Sequence, residues 1–200
     1  MDQGEAMLTV LLTTYLLGSI PTAYLVAKQV AGLDIRTVGD GNPGARNVWL
    51  HLGWRWGVLV AILDMLKGYA AVRWAQAMGF AEPYAFLAGM VAVLGHDTSP
   101  FLRFRGGQGM ATTLGVMLAL MPWETLFAIA VFLLAYRLSH RWDESLFVGM
   151  IWLPLLPLLL GRDIRYVLYP VALLPTVGIK KLIDQIRRSG QGLRALRLRR

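Results

Sequence analysis

Long apolar segments alternate with short polar ones along the chain, and this alternation predicts a bundle of membrane-spanning helices. The hydrocarbon core of a bilayer, about 30 Å thick, requires about 20 apolar residues per helix, and the chain has room for about seven such spans. The predicted helices cover approximately residues 7–30, 54–78, 83–94 (ending near His96), 109–121, 123–138, 146–160 and 164–183. The predicted fold is therefore an all-α, polytopic membrane helical bundle that forms one domain over residues 1–200.

The amino-acid composition agrees with a membrane protein and excludes several kinds of chemistry. The chain has 56% hydrophobic and 16% charged residues, whereas soluble domains have about 25% charged residues. Because it contains no cysteine, disulfides, thiolate catalysis and cysteine-based metal sites are excluded. The first residues carry Asp2 and Glu5 but no lysine or arginine, so the first apolar segment is expected to be a retained span and not a signal peptide.

The basic residues lie mainly on one side of the predicted bundle. Most of them occur in the loops after the first, third and fifth helices and in the C-terminal tail, whereas the opposite side has only Arg162 and Arg165. The positive-inside rule then places the N-terminus outside and the C-terminus in the cytoplasm. The net charge of +8 is thereby assigned to loops that face anionic lipid, and no nucleic-acid partner is expected.

The basic C-terminal stretch begins at Lys180 and includes a predicted cytoplasmic tail at about residues 184–200. Leucine and isoleucine alternate with its basic residues, a pattern typical of an amphipathic helix in the membrane interface. The alternative is that one or two residues of this stretch contribute to a binding site.

The first predicted cytoplasmic loop combines glycine, asparagine and arginine within a short stretch. Its glycines permit positive φ angles and close approach of the main chain, so that successive N–H groups can converge on an anion. Arginine adds planar, bidentate recognition of phosphate. The candidate residues are Arg36, Gly39, Gly41, Asn42, Gly44, Arg46 and Asn47. The alternative is an ordinary re-entrant turn in which asparagine and glycine serve only the turn geometry.

The third predicted loop contains a second glycine-rich segment, Arg105-Gly-Gly-Gln-Gly109, directly before a helix. Such a loop directs unpaired N–H groups and the positive end of the helix dipole towards a ligand. The lysine and the serine or threonine of a P-loop are absent, so a nucleotide site is not predicted. His96, just upstream, can orient a hydroxyl, accept its proton or hold a phosphate oxygen. A structural role for His96 at the helix end is the alternative.

Three charged residues, Asp64, Lys67 and Arg73, lie within the second predicted span. Asp64 and Lys67 share one helix face, and because charges at membrane depth are usually paired, an internal structural pair is expected. Arg73 is expected to snorkel or to find a partner. A small transporter that uses the pair is a rival interpretation, but the chain lacks the internal repeats of many transporters. No metal site is predicted, because the chain has three histidines and no clustered carboxylates.

These motifs together resemble those of the bacterial acyl-phosphate-dependent glycerol-3-phosphate acyltransferases, a seven-span membrane family. The resemblance extends over nearly the whole chain. It is carried by Leu17-Gly-Ser-Ile-Pro21, Asp34-Ile-Arg36 followed by Gly39-Asp-Gly-Asn-Pro-Gly-Ala-Arg-Asn47, Asp64-Met-Leu-Lys-Gly68, and Gly95-His96 with Phe104-Arg-Gly-Gly-Gln-Gly-Met-Ala-Thr112.

The resemblance implies an enzyme that transfers an acyl group from acyl phosphate to the 1-hydroxyl of glycerol 3-phosphate, giving lysophosphatidic acid in phospholipid biosynthesis. It implies no cofactor and no metal, membrane lipids as further partners, and an active site on the cytoplasmic side of the bacterial inner membrane. The implied catalytic residues are His96 and Asp40. The implied substrate-binding residues are Arg36, Asn42, Arg46, Asn47, Arg105, Gly106, Gly107, Gln108 and Asp184.

Four positions depart from the family pattern. The family usually has serine, arginine, lysine and asparagine at the positions of Asp40, Leu50, Gln108 and Asp184. Arg46 lies one turn before Leu50 and restores that charge if the segment is helical. A carboxylate that faces a phosphate is costly unless it is paired, so Asp40 is expected to pair with Arg36, Arg46 or Arg105. The alternative function is a degenerate paralogue that binds a lipid phosphate or a partner, with weak, altered or no acyltransferase activity.

Overall fold

The structure is a computed structural model that describes residues 2–197, apart from the side chains of residues 177, 181, 185 and 187–197. Within this part of the chain all regular structure is helical, as the sequence predicts. Two short 3₁₀ turns, Ile35–Thr37 and Pro100–Leu102, lie in the loops. The α-helices are α1 (Gln3–Ser19), α2 (Thr22–Ala31), α3 (Ala45–Leu52), α4 (Trp54–Ala77), α5 (Glu82–Asp97), α6 (Met110–Leu120), α7 (Pro122–Ser139), α8 (Trp142–Met150), α9 (Trp152–Leu159) and α10 (Arg165–Arg197).

Five helical segments of the described chain are long and apolar enough to cross a bilayer. They are Gln3–Ala31, Glu82–Leu102, Pro122–Ser139, Trp142–Leu159 and Arg165–Asp184. Helix α4 has 24 residues but carries charged side chains, and α6 is apolar but has only 11 residues. These two helices occupy the positions of the predicted second and fourth spans.

Two helices that the apolar pattern predicts as continuous are interrupted, and proline accounts for both interruptions. The predicted helix at residues 7–30 divides into α1 and α2 at Pro21, since proline has no N–H and its ring clashes with the carbonyl four residues earlier. The predicted helix at residues 146–160 divides into α8 and α9. There, Pro154 cannot donate the hydrogen bond that the Met150 carbonyl would accept in a continuous helix.

Two further differences concern the loops and the C-terminus. The first loop contains α3, an eight-residue helix that is too short for the apolar pattern to reveal. Helix α10 continues beyond the predicted end at residue 183, so residues 184–197 of the predicted basic tail extend this helix. Residues 198–200 of that tail lie outside the described residues. The predicted interfacial position of the tail stays a prediction.

Glycine residues bring two helix pairs, α1 with α5 and α4 with α6, into close main-chain contact. A Cβ atom on Gly18 would overlap the carbonyl of Ala92, and a Cβ atom on Gly115 would overlap that of Met65. In a membrane, where the lipid tails are as apolar as the side chains, such small residues permit the close van der Waals packing that holds helices together. These contacts fix how α1 meets α5 and how α4 meets α6.

A small buried cluster attaches the first loop to α4. Its members come from α2, the first loop, α3 and α4, and they are Ala23, Ala27, Ile35, Val48 and Val60. Beside it, the hydroxyl of Ser99, just after α5, donates to the carbonyl of Ser19 over 2.6 Å. The break between α1 and α2 therefore lies between the first loop and the third loop.

Candidate functional site

A buried polar cluster joins α2, α4 and α5. Lys67 Nζ lies 2.7 Å from Asp64 Oδ1, which also accepts a hydrogen bond from the Thr22 hydroxyl. Lys67 donates further to the Ile20 carbonyl and, over 3.2 Å, to the Thr22 hydroxyl. His96 Nδ1 lies 3.6 Å from the same Asp64 oxygen. The predicted pair of Asp64 and Lys67 is confirmed, and it also lies against the candidate catalytic histidine.

The third loop folds back onto the last turn of α5. The N–H groups of Gly106 and Gly107 donate to the carbonyls of Asp97 (3.2 Å) and His96 (3.1 Å). A Cβ atom on Gly107 would overlap His96 Nε2. The imidazole therefore lies between the Asp64 carboxylate and the main chain of the glycine-rich loop.

The predicted substrate-binding role of Gly106 and Gly107 stays a prediction, but their N–H groups are not free to bind an anion in this structure. The reason is that the last carbonyls of a helix have no partner within the helix, and in α5 these two N–H groups satisfy them. The main-chain N–H groups of Gln108 and Gly109 have no hydrogen-bond partner among the described residues. The free donors of this loop thus lie directly before the N-terminus of α6.

Helix α10 contributes two charged residues to the third loop. Lys180, which is buried, donates to the Gly106 carbonyl over 3.3 Å and to Asp184 over 2.8 Å. Asp184, assigned from the resemblance, therefore reaches the loop only through Lys180 in these hydrogen bonds. The sequence indicates Lys180 only as one member of a basic stretch. Arg105 is exposed, and its side chain has no hydrogen bond or ion pair with the described residues.

In the first loop, Arg36 is held by a neighbouring carboxylate and an aromatic ring. Its Nε and a terminal nitrogen donate to the two oxygens of Asp34 over 2.9 and 2.7 Å. These hydrogen bonds hold the pKa of the Asp34 carboxyl below its usual value. The Arg36 guanidinium also lies 5.1 Å from the centre of the Tyr24 ring. The guanidinium is thus oriented before any substrate binds.

The two asparagines of the first loop have different surroundings but one common feature. Asn47 is buried, and its Nδ2 donates to the carbonyls of Ile35 (3.0 Å) and Val38 (3.1 Å), which closes the loop around it. Asn42 is partly buried. The Oδ1 atoms of both side chains are buried without a hydrogen-bond partner among the described residues. Buried acceptors of this kind can take a hydrogen bond from an ordered water or from a ligand.

The expected pairing of Asp40 with an arginine is wrong among the described residues. Its Oδ1 instead accepts a hydrogen bond from the main-chain N–H of Asn42 over 3.0 Å, a local turn interaction of the kind that aspartate often makes. Arg46 lies 3.6 Å from Asp143 at the start of α8. Because α3 is helical, Arg46 does lie one turn before Leu50.

The structure brings only part of the predicted site into direct contact. His96, Gly106, Gly107 and Asp184 lie together at the third loop, with Lys180 as an additional member. No hydrogen bond or ion pair between described residues joins this group to the first loop. The Thr22, Asp64 and Lys67 cluster contacts the third-loop group through His96, and its Asp64 to Lys67 spacing within α4 was visible in the sequence. Its contact with α5 was not, since it depends on how the helices face each other.

The chain is similar to proteins of one family over most of its length. Residues 8–192 match the sequence model of the family described as glycerol-3-phosphate acyltransferase. The glycerol-3-phosphate acyltransferase of Endomicrobium trichonymphae is 40% identical over 181 residues, covering 88% of this chain and 91% of the relative. That of Desulforudis audaxviator is 40% identical over 164 residues, covering 82% of each.

Solved structures agree with these sequence matches. The crystal structure of PlsY (YgiH), an integral membrane glycerol 3-phosphate acyltransferase, in its glycerol 3-phosphate form, has a TM-score of 0.80 and 32% identity. The match covers 94% of this chain and 93% of that one. The lysophosphatidic acid form has a TM-score of 0.79 and 31% identity. By its family match, its relatives and its integral-membrane fold, this chain belongs to the glycerol-3-phosphate acyltransferase family, as its motifs predict.

Proposed function

We propose that this chain transfers an acyl group from acyl phosphate to the 1-hydroxyl of glycerol 3-phosphate, giving lysophosphatidic acid and phosphate in phospholipid biosynthesis. The observation that carries the proposal is the position of His96, between the Asp64 carboxylate and the main chain of Gly107. The similarity to PlsY in forms named for glycerol 3-phosphate and lysophosphatidic acid supports the same acceptor and product. The comparisons do not favour a degenerate paralogue.

In the proposed reaction, the 1-hydroxyl oxygen of glycerol 3-phosphate attacks the acyl carbonyl carbon. The bond between that carbon and the phosphate oxygen breaks, and the hydroxyl proton passes to the departing phosphate. His96 orients the hydroxyl through Nε2, while the Asp64 carboxylate on the Nδ1 side positions the ring. Hydrogen-bond donors around the acyl oxygen stabilise the negative charge that develops there.

The two substrate phosphates require positive charge and N–H donors. Arg105 offers an exposed guanidinium, and the free N–H groups of Gln108 and Gly109 lie at the N-terminus of α6, where the helix dipole favours an anion. Arg36 and Arg46 add positive charge at the first loop, although each already lies beside a carboxylate. We therefore assign the phosphates mainly to the third loop.

The glycerol hydroxyls require acceptors as well as donors. The buried Oδ1 atoms of Asn42 and Asn47 lack partners among the described residues, and leaving such an acceptor unpaired costs about 1–3 kcal/mol. Because His96 orients the 1-hydroxyl, we assign these atoms to the 2-hydroxyl of glycerol 3-phosphate, with Asp40 as an additional acceptor beside Asn42. Asp184 holds Lys180 against the Gly106 carbonyl and is a positioning residue of the third loop.

The proposed activity is tested with purified protein, palmitoyl phosphate and glycerol 3-phosphate. We expect phosphate and lysophosphatidic acid to form in equal amounts, and neither to form when glycerol 3-phosphate is omitted. Palmitoyl coenzyme A should not replace palmitoyl phosphate, because the proposed donors face a phosphate leaving group. The His96→Ala, Arg105→Ala double variant is the matched control. Turnover no greater than that of the double variant would contradict the proposal.

We also propose that the single domain of residues 1–200 crosses the bacterial inner membrane seven times, with both glycine-rich loops in the cytoplasm. The seven spans are the five apolar segments together with α4 and α6. Helix α4, at about 1.5 Å per residue, is long enough to cross. The concentration of basic residues in the odd-numbered loops and the tail supports an outside N-terminus.

Single cysteines test this orientation, because the chain has none of its own. We expect a membrane-impermeant maleimide to label Asp163→Cys in intact cells, since this exposed residue precedes α10 on the proposed outer side. Arg103→Cys, exposed in the third loop, should be labelled only after the membrane is permeabilised. The reverse pattern would require the opposite orientation, and labelling of both in intact cells would exclude an odd number of spans between them.

A further inference from the structure

One arginine, Arg73, lies on the exposed face of α4 and is not used in the proposed reaction. Its guanidinium donates to Gln76 of the same helix over 2.8 Å. No ion pair joins it to any carboxylate of the described residues. A cation on the surface of a membrane-spanning helix is costly and normally has a partner. The only partner within the described chain is an uncharged amide, so the guanidinium keeps N–H donors for a further acceptor.

Two apolar clefts flank Arg73, one on each side of α4. The cleft between α1 and α4 has a volume of about 560 Å³ and is lined by Leu17 and Trp74, among others. The cleft between α4, α6 and the start of α7 has a volume of about 630 Å³ and is lined by Leu118, among others. Tyr69 and Arg73 line both clefts.

The depth of Arg73 corresponds to a lipid headgroup. It lies four residues before the end of α4 at Ala77, which is about 6 Å along the helix axis. Exposed aromatic rings surround this end of the bundle, with Trp74 on α4, Tyr84 on α5 and Trp123 on α7. Tryptophan and tyrosine are enriched where the hydrocarbon core meets the headgroups. The guanidinium is thus within reach of phosphates, while the clefts extend into the apolar region.

We propose that Arg73 and its two flanking clefts bind one anionic diacyl phospholipid from the leaflet at the C-terminal end of α4. The phosphodiester accepts hydrogen bonds from the guanidinium, a bidentate geometry that arginine favours. One acyl chain occupies each cleft, which distinguishes this occupant from single-chain lysophosphatidic acid. The site lies towards the opposite end of α4 from the first loop, and its basis is independent of the proposed reaction.

Purified full-length protein in neutral detergent tests the proposal through its thermal midpoint. We expect dioleoyl phosphatidylglycerol to raise the midpoint of the wild type more than dioleoyl phosphatidylcholine or single-chain lysophosphatidylglycerol does. In Arg73→Leu the advantage of phosphatidylglycerol should disappear, whereas Arg55→Leu, at the other end of α4, should retain it. Removal of a charge from a lipid-facing surface does not endanger the fold. Equal effects of the three lipids on the wild type, or an unchanged advantage in Arg73→Leu, would overturn the proposal.

Native mass spectrometry of the same samples measures the bound lipid directly. We expect one phosphatidylglycerol per wild-type chain, and its loss from Arg73→Leu. Ala70→Phe, which places a ring in the cleft between α1 and α4 without removing the charge, should also reduce retention. Wild-type turnover with palmitoyl phosphate should persist in Arg73→Leu, because the residue lies outside the proposed active site. If Arg73→Leu retains as much lipid as the wild type, Arg73 only extends to the membrane surface and does not bind the phospholipid.

Discussion

Replacement of His96 by alanine is expected to lower kcat for acyl transfer by about 10²-fold, the order of loss that follows when a reacting hydroxyl is no longer held in position. The ring occupies the space between the Asp64 carboxylate and the Gly107 main chain. Alanine leaves the ion pair of Asp64 with Lys67 in place, so the variant should fold. Initial rates at saturating palmitoyl phosphate and glycerol 3-phosphate measure the effect.

His140 provides the matched control for this experiment. It is exposed at the end of α7 and has a φ of 55°, a left-handed conformation that asparagine tolerates well. The His140→Asn variant is therefore expected to keep the wild-type kcat. If His96→Ala also keeps it while remaining folded, the role of His96 is structural, as the alternative interpretation of the sequence holds.

Replacement of Lys67 by methionine is expected to reduce the free energy of unfolding by about 3–5 kcal/mol, since it leaves a buried carboxylate without its cation. Asp64 is 1% exposed and Lys67 is 5% exposed, so water cannot substitute for the missing ammonium. The variant also loses the hydrogen bonds from Lys67 to the Ile20 carbonyl and the Thr22 hydroxyl, which hold α2 against α4. Unfolding in mixed micelles with increasing dodecyl sulfate measures the change.

Two further variants distinguish the effect on stability of breaking the Asp64 and Lys67 pair from the effect of removing any lysine. Lys28→Met makes the same substitution at an exposed position near the end of α2 and should change the stability little. The double variant Asp64→Asn, Lys67→Met removes both charges and should recover a large part of the lost stability, because a neutral buried cluster avoids the desolvation cost. Wild-type stability of Lys67→Met, or a double variant less stable than it, would show that the pair does not hold α2 against α4.

Much of the fold can be predicted from local pattern alone. The apolar segments predict the helices because every main-chain N–H and C=O within a bilayer must be satisfied internally. The pairing of Asp64 with Lys67 follows from three-residue spacing on one helix, which is a local property. The apolar pattern does not predict the breaks at Pro21 and Pro154 or the short helix α3. An apolar run does not by itself reveal where main-chain hydrogen bonds end.

The candidate site is only partly predictable, because its contacts join residues far apart in the chain. Asp64 meets His96 across two helices, and Lys180 reaches Gly106 from α10. Motif composition identifies His96 and the glycine-rich loops as candidates. It does not indicate that the Gly106 and Gly107 N–H groups are already occupied by the end of α5.

The sequence by itself determined the all-helical membrane class, the family and the residue types of the two glycine-rich loops. These follow from hydrophobic run length, local spacing and motif identity, which do not depend on the folded arrangement. Only the tertiary structure decided that Arg46 lies beside Asp143, that Asp40 has no arginine partner among the described residues, and that His96 lies against Asp64. Which charge meets which depends on how the helices rotate and cross, and close packing through residues such as Gly18 and Gly115 sets that arrangement.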